Sequence, residues 1–163
     1  MHMRVMRALV LCAVVTISGH AVRAANGNPD AIVGIWVTEG GKSHVEIALR
    51  NGQYEGHIVW LKEPDYPADD QQGMAGKSKV DRENPEIALR TRPIIGLPLL
   101  SGFRYAGDNV WSDGSIYDPE SGKTYHCKMT LMKNGDLKVR GYIGFSLFGR
   151  TTVWSRLPAT PPT

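Results

Sequence analysis

The chain has 163 residues and a formal net charge of +3, from 19 lysines and arginines against 16 acidic residues. Three of those arginines lie in the first 24 residues, so the remaining 139 residues carry no net charge. Because nucleic-acid binding depends mainly on basic side chains that neutralise phosphates, this neutral body excludes any electrostatic case for a nucleic-acid partner.

The N-terminal segment is predicted to be an export signal. Arg4 and Arg7 precede an apolar run at residues 8–17, and residues acceptable to a signal peptidase precede the bond between Ala24 and Ala25. A charged start, a short apolar run and such a bond are typical of a cleaved signal peptide. This run of ten residues, interrupted only by Thr16, is too short for a spanning helix, which takes about 20.

Removal of this signal peptide, residues 1–24, leaves a domain at residues 25–163 with its core at residues 33–157. Cys127 is then the single cysteine, so no internal disulfide is expected and stability depends on a packed apolar core. A chain of this size normally builds one core. We therefore expect one periplasmic or secreted domain without a transmembrane segment.

Alternation of apolar and polar residues dominates the chain and predicts antiparallel strands with one wet face. Asn51-Gly52 and Asn134-Gly135 are dipeptides typical of tight hairpin turns and predict two hairpins. In chain order, the predicted strands are residues 33–37, 43–50, 54–61, 100–105, 110–117, 123–132, 137–140 and 151–156. The apolar side chains predicted on the inner face are Val45, Ile47, Leu49, Ile58, Trp60, Tyr125, Met129, Leu131, Leu137 and Val139.

Two segments lack this alternation in the middle of the chain. Residues 62–79 are polar and contain prolines and glycines, which predicts a long loop. Asn84-Pro85 then predicts one short helix at residues 85–90, with Asn84 as its N-cap. Eight short strands without a device that masks an edge favour an all-β fold, a small eight-stranded antiparallel barrel. A sandwich of two sheets is the alternative.

The two ends of the predicted sheet resemble the lipocalin and fatty-acid-binding superfamily of barrels. Gly34 and Trp36 open the first strand as Gly-x-Trp, and Arg156 ends the last. The resemblance implies that the guanidinium of Arg156 stacks on the Trp36 indole and helps to close the barrel. Such a cation–π contact contributes about 0.5–2 kcal/mol.

A second resemblance rests on longer motifs. Residues 111–119 read WSDGSIYDP, and Gly122-Lys123-Thr124-Tyr125, residues 140–144 and residues 149–151 continue the likeness. The chain resembles a large family of small exported bacterial proteins that is catalogued only as a domain of unknown function. The likeness spans residues 34–157. It implies an exported, barrel-like protein and brings no catalytic residues with it.

An eight-stranded barrel is either filled by its side chains or just wide enough for one small ligand. Both possibilities stay open, because the predicted inward-facing side chains are large and the strands are short. Pocket walls are mostly apolar with a few polar groups. The candidate ligand-binding residues are therefore Tyr54, Trp60, Tyr117 and Tyr125.

The residue types that carry catalysis or bind metals do not form a convincing site. Cys127 shares a face with apolar neighbours, which predicts a buried thiol, whereas the adjacent His126 points to the opposite face. His44 and His57 also lie on outer faces, and no third zinc ligand accompanies them. We predict no catalytic residue, no cofactor and no metal ligand.

Two apolar stretches, residues 94–103 and 143–148, do not alternate. They either pack together over one end of the barrel or form an apolar lid or a surface for a partner. The sequence thus favours an exported, non-catalytic binding protein that holds a small apolar or amphiphilic ligand in the barrel. The alternative is an envelope-associated interaction protein with a filled barrel and an apolar partner-binding surface.

Overall fold

The computed structural model describes residues 27–144 and 149–158, so the predicted signal peptide lies outside the described residues. Eight antiparallel strands form one sheet in sequence order, and pairing of the first strand with the last closes it into a barrel. The all-β barrel is therefore confirmed, and the two-sheet alternative is excluded. The strands are β1 Gly34–Val37, β2 Ser43–Arg50, β3 Gln53–Leu61, β4 Pro98–Gly107, β5 Val110–Asp118, β6 Lys123–Leu131, β7 Leu137–Tyr142 and β8 Gly149–Arg156.

The predicted hairpin turn between β2 and β3 has the expected backbone. Asn51 has φ 49° and Gly52 has φ 76°, so both central residues lie in the left-handed region that a type I′ turn requires. The turn twists with the strands and sets the register that pairs Leu49 with Tyr54. Local chemistry therefore determines how these two strands meet.

The connections divide the barrel into two unlike ends. The turns after β2, β4 and β6 lie at one end, which we call the closed end. The connections after β1, β3, β5 and β7 lie at the other, which we call the mouth. The connection between β3 and β4, residues 62–97, is much longer than the others. The mouth thus has a wall of irregular backbone that the closed end lacks.

A 3₁₀ turn at Pro29–Ile32 covers the closed end. The indole N–H of Trp36 donates to the carbonyl of Ile32 at 2.8 Å, and the indole N–H of Trp111 donates to the carbonyl of Pro29 at 3.0 Å. Both tryptophans are fully buried. Each buried indole therefore has its polar atom satisfied, and the N-terminal segment is held against two strands of the barrel.

The seam between β1 and β8 has only two pairs in register, Trp36 with Arg156 and Val37 with Ser155. The guanidinium carbon of Arg156 lies 4.3 Å from the centre of the Trp36 ring. Its two terminal nitrogens donate to the carbonyls of Val33, at 2.9 Å, and of Ala31. One side chain thus joins the last strand, the first strand and the segment that covers the closed end.

Gly34 leaves the space that this guanidinium occupies. Its φ is +132°, and a Cβ at this position would lie 2.8 Å from Nη1 of Arg156. A side chain here would be strained in its backbone and would displace the guanidinium. The three residues of the predicted closure, Gly34, Trp36 and Arg156, therefore meet at one point of the seam.

The core is continuous around the closed half of the barrel. Gly114 is part of it because the backbone of β5 lies against Phe103 there, and a Cβ on Gly114 would lie 2.4 Å from that ring. The register of β5 against β6 shifts between Trp111 and Gly114, so Ser112 and Asp113, the latter with φ 63°, form a bulge inside β5. The fully buried side chains include Trp36, Val45, Leu97, Leu100, Phe103, Trp111, Met129 and Leu137.

Two side chains predicted on the inner face are exposed, one because its face is reversed and the other because it lies at the end of its strand. His44 pairs with Trp60 and Val45 pairs with Ile58, so one extra residue, Val59, bulges from β3. The bulge reverses the alternation, and the Trp60 side chain lies outside the barrel with 42% of its surface exposed. Leu49 is also exposed, because β2 ends at the turn one residue later.

The expected helix at residues 85–90 is a single 3₁₀ turn at Ile87–Leu89. The side-chain Oδ1 of Asn84 accepts from the amide of Glu86 at 2.9 Å, which is the contact expected of a capping residue, but no helix continues from Pro85. The side-chain amide of Asn84 donates to Oδ2 of Asp81 at 2.8 Å. The local contact predicted at Asn84 is therefore present, whereas the helix that it was expected to start is not.

Candidate functional site

A cavity of about 1250 Å³ occupies the mouth half of the barrel and opens to solvent. Ligand pockets for drug-sized molecules are commonly about 300–1,000 Å³, so this space is large enough for a small molecule. The barrel is therefore filled at its closed end and hollow toward its mouth. The side chains that make its wall apolar include Ile58, Ile94, Leu99, Ile116, Val139 and Trp154.

The four tyrosine and tryptophan candidates separate into two pairs. Tyr117 and Tyr125 line the cavity. Trp60 does not, because the bulge in β3 turns it outward, where its ring stacks on His44 with 4.3 Å between ring centres. Tyr54 does not either, since it is buried at the closed end.

Tyr54 belongs to the structure that covers the closed end. Its hydroxyl donates to Oδ1 of Asp30 at 2.8 Å, and its ring meets Trp111 edge-on at 6.3 Å between centres. Burial, with the hydrogen bond to Asp30 next, raises the pKa of Tyr54 to about 12. This tyrosine therefore stays neutral and holds the N-terminal segment in place.

The long connection, residues 62–97, forms one side of the mouth. It extends the barrel wall, because the amide of Ile58 donates to the carbonyl of Leu97 at 3.0 Å and the amide of Gly96 donates to the carbonyl of Ile58 at 2.7 Å. Ile94 and Leu97 are buried in the core cluster. The connection is thus packed against the barrel through its own apolar residues.

A buried carboxylate attaches the middle of this connection to β5. Asp81 is 0% exposed. Its Oδ1 accepts from the hydroxyl of Tyr117 at 2.6 Å, and its Oδ2 accepts from Arg92 and from the amide of Asn84, each at 2.8 Å. Hydrogen bonds to an ionised carboxylate are stronger than those between neutral groups. The contacts of Asp81 therefore fix the long connection beside the cavity.

The electrostatics of this group follow from its contacts. Burial alone would raise the pKa of Asp81, but the hydrogen bonds from Tyr117, Arg92 and Asn84 outweigh it and hold that pKa below its ordinary value. Burial, followed by the bond to Asp81, raises the pKa of Tyr117 to about 12. Asp81 is therefore ionised and Tyr117 neutral at ordinary pH, which suits a structural role.

A second attachment lies at the rim. Arg82 donates to Oδ1 of Asp70 at 2.6 Å and lies over the ring of Tyr66, 4.2 Å from its centre. The Arg82 bond is the main cause that lowers the pKa of Asp70. The Tyr66 hydroxyl in turn donates to the carbonyl of Val80 at 2.9 Å. Both halves of the connection are thus held together at the cavity edge.

The apolar stretch at residues 94–103 packs inside the protein, with Leu97, Leu100 and Phe103 fully buried. It therefore supplies core and cavity wall, and not the partner surface considered from the sequence. The other stretch, residues 143–148, lies mostly outside the described residues. Its first residue, Ile143, lines the cavity mouth and is 69% exposed.

Reactive groups do not converge in the described part of the chain. Cys127 is 1% exposed, and burial raises the pKa of its thiol to about 12. That thiol is neither charged nor accessible, which a nucleophile requires. Within residues 27–144 and 149–158, no group of three or more His, Cys, Asp or Glu side chains could hold a metal ion. Within the same residues, no helix is long and apolar enough to cross a membrane.

Sequence reasoning missed the group around Asp81. Residues 80–92 have no regular periodicity, and a single Asp in a polar stretch gives no signal that it will be buried. The nearest signal is the combination of Asp81, Asn84 and Arg92, polar residues of complementary type in a loop flanked by apolar strands. Only the fold shows that Tyr117 completes it.

Comparison with known proteins supports this architecture. The structure is similar to that of protein HP1028 from the human pathogen Helicobacter pylori, which is described as belonging to the lipocalin family. The TM-score is 0.64 at 27% sequence identity, over 77% of this chain and 82% of the other. A comparison with curated proteins found no match.

A family profile matches residues 34–156, which include every strand of the barrel. The family is described as an uncharacterized protein conserved in bacteria. The likeness read from the longer motifs and the lipocalin-like barrel are thereby both confirmed. The chain belongs to the bacterial family DUF2147.

Proposed function

We propose that this protein is an exported, non-catalytic binding protein that holds a small amphiphilic molecule in its barrel. The apolar part of the ligand lies in the cavity, and its polar part lies at the mouth. The single observation that carries the proposal is the open cavity of about 1250 Å³, which has apolar side chains along its inner wall and charged side chains at its mouth.

The wall chemistry supports an amphiphile over a fully polar ligand. Ile58, Ile116, Val139 and Trp154 offer no charge to a ligand inside the barrel. Charged residues of both signs instead line the mouth, among them Lys42 and Glu63. Transfer of an unpaired charge into the apolar part would be costly, so a charged or strongly polar group stays at the mouth.

Rigidity of the wall also supports binding. The attachments at Asp81 and Arg82 hold the long connection against the barrel through contacts within the protein itself. A preformed site loses less conformational entropy on binding. The lipocalin description of the Helicobacter pylori neighbour supports the same conclusion at the level of the fold.

Titration with N-phenylnaphthylamine tests the proposal, because this neutral dye becomes strongly fluorescent in an apolar site. Ile116→Trp places a larger side chain on the cavity wall. Val153→Trp is the matched control, since Val153 lies on β8 and is exposed on the outer face. We expect saturable binding to the unmodified protein and to the Val153 variant, with loss of binding in the Ile116 variant.

Thermal melting of both variants checks that the barrel is intact, because an added large side chain commonly costs about 1–3 kcal/mol. If the dye fails to bind the unmodified protein, or binds the folded Ile116→Trp variant equally well, the cavity is not a binding site and the proposal fails.

We also propose export, on the strength of the sequence pattern in residues 1–24. Expression in a Gram-negative host followed by intact-mass measurement of the periplasmic protein tests it. Export predicts a chain that begins at Ala25. A full-length mass found only in the cytoplasm would overturn this part of the proposal.

A further inference from the structure

Cations at the cavity mouth differ in whether they have a partner. Five line it: Lys42, Lys62, Lys79, Arg82 and Arg150. Three of these are paired with a carboxylate of the rim. The pairs are Lys79 with Glu63 at 3.9 Å, Arg82 with Asp70 at 2.6 Å and Arg150 with Glu39 at 3.9 Å.

Lys42 and Lys62 are the two that remain. In the described ranges, neither has a carboxylate oxygen within 4.0 Å of its ammonium group. They are neighbours, because the amide of Lys62 donates to the carbonyl of Lys42 at 2.9 Å. Two like charges at adjacent positions repel each other. An anion bound between them would add two attractive interactions that outweigh this repulsion.

The wall beneath these two lysines changes from charged to apolar. Ser43 pairs with Leu61 one position further into the barrel. Leu61 and Ile58 then continue the cavity wall along β3. A molecule whose anionic end lies between the lysines would therefore place its apolar end against this strand and toward the closed end.

The opposite side of the mouth is less suited to a cationic head group. Asp118 has both carboxylate oxygens in use, since Oδ1 accepts from the amide of Glu120 at 3.1 Å and Oδ2 accepts from the hydroxyl of Ser121 at 2.6 Å. Glu120 itself is exposed. Among the described residues, the mouth thus has two neighbouring lysines without an ion pair on one side, and on the other the carboxylate of Glu120, also without one, beside the hydrogen-bonded Asp118.

We propose that the ligand is an amphiphile with an anionic head group, carboxylate or phosphate, held by Lys42 and Lys62. This inference rests on the proposed function of the barrel as a binding site. The two lysines would then determine which head-group charge the protein binds. The apolar wall would determine which hydrocarbon part it binds.

Displacement of bound N-phenylnaphthylamine measures head-group preference, because the dye is neutral and does not itself need the lysines. Four competitors share one alkyl chain and are used below their micelle concentrations: dodecanoate, dodecyl phosphate, dodecyltrimethylammonium and dodecyl maltoside. The variants are Lys42→Gln and Lys62→Gln. Lys138→Gln is the matched control, since Lys138 lies exposed on β7 toward the closed end.

We expect the two anionic competitors to bind more tightly than the other two. Each of the Lys42 and Lys62 substitutions should weaken anion binding by about twofold to fivefold, as for a solvent-accessible ion pair. The preference should also shrink as salt is added. Dodecyl maltoside should bind all variants equally, and the Lys138 variant should match the unmodified protein.

The outcomes separate the two proposals. If all four competitors displace the dye with no preference for the anionic ones, or if dodecyltrimethylammonium is preferred, the head-group assignment is overturned. The proposed binding function then still holds. An anionic preference that survives both substitutions also overturns it. Failure of the dye to bind at all removes the proposed function, and the head-group assignment with it.

Discussion

Replacement of Arg156 by Lys tests the closure of the barrel. The seam between β1 and β8 has two residue pairs in register, whereas β6 and β7 have six. Few backbone hydrogen bonds therefore hold this seam, and the contacts of the Arg156 side chain have correspondingly more weight. Lysine keeps the positive charge but cannot stack a planar group on Trp36 and donate to two carbonyls at once.

The expected loss follows from the contacts. An exposed cation–π contact contributes about 0.5–1 kcal/mol. A hydrogen bond contributes about 0.5–1.5 kcal/mol net, and lysine can keep only one of the two that Arg156 makes to Val33 and Ala31. We therefore expect Arg156→Lys to lower the free energy of unfolding by about 1–2.5 kcal/mol.

Urea denaturation followed by circular dichroism measures this loss. Arg150→Lys is the matched control on the same strand, because the Arg150 side chain is 83% exposed and its ion pair with Glu39 is long, at 3.9 Å. The control should change stability by no more than roughly 0.5 kcal/mol. Equal stability of the Arg156 variant and the unmodified protein would refute the closing role of the guanidinium.

Three further substitutions test other parts of the structure. Gly114→Ala should lower stability by about 1–3 kcal/mol in urea, because its Cβ would overlap the Phe103 ring; an unchanged midpoint would contradict that packing. Asp81→Asn should cost about 2–4 kcal/mol through the loss of a buried charged acceptor, and a loss below about 1 kcal/mol would contradict its role as an attachment. Since the pKa of Tyr117 is raised from 10.0 to about 12, the folded protein holds more protons than the unfolded chain in that window, and stability should fall as pH rises through it. Tyr117→Phe should make this fall shallower while Tyr54 maintains part of it, and identical alkaline profiles would contradict the assignment.

The barrel could be predicted because the sequence features that specify its strands and turns are local and periodic. Val45 and Ile47 alternate with polar residues, and Asn51-Gly52 turns the chain with the backbone that its composition favours. The closing contact could be predicted through the resemblance to lipocalin-type barrels, which pairs a Gly-x-Trp on the first strand with an Arg on the last. Arg156 and Trp36 are far apart in sequence, and the pairing of the first strand with the last brings them together.

The cavity wall could be predicted only in part, because one bulge changes which residues face inward. Alternation continued past Ile58 places Trp60 inside, whereas the extra residue at Val59 places it outside. A bulge depends on how neighbouring strands fit, and a single strand does not carry that information. Tyr54 was misplaced for a related reason, since alternation predicts its face and not how deep it lies in the barrel.

The long connection could not be predicted, because its structure depends on tertiary contacts. Asn84 before a proline favours a helix start, and its Oδ1 does accept from the amide of Glu86. Its side-chain amide also donates to Asp81 and to Tyr117, and these tertiary contacts hold the segment in an irregular course. Partners that are distant in the chain or outside any regular pattern give no signal in the sequence. The mouth of the cavity therefore became visible only in the structure.

Native mass spectrometry of the protein purified from a bacterium that produces it naturally tests the central claim most directly. A ligand held in the cavity predicts a small-molecule adduct on the unmodified protein and on Val153→Trp, and its loss from folded Ile116→Trp. A bare protein mass for all three, together with no binding of N-phenylnaphthylamine, would contradict the claim that this barrel is a binding site.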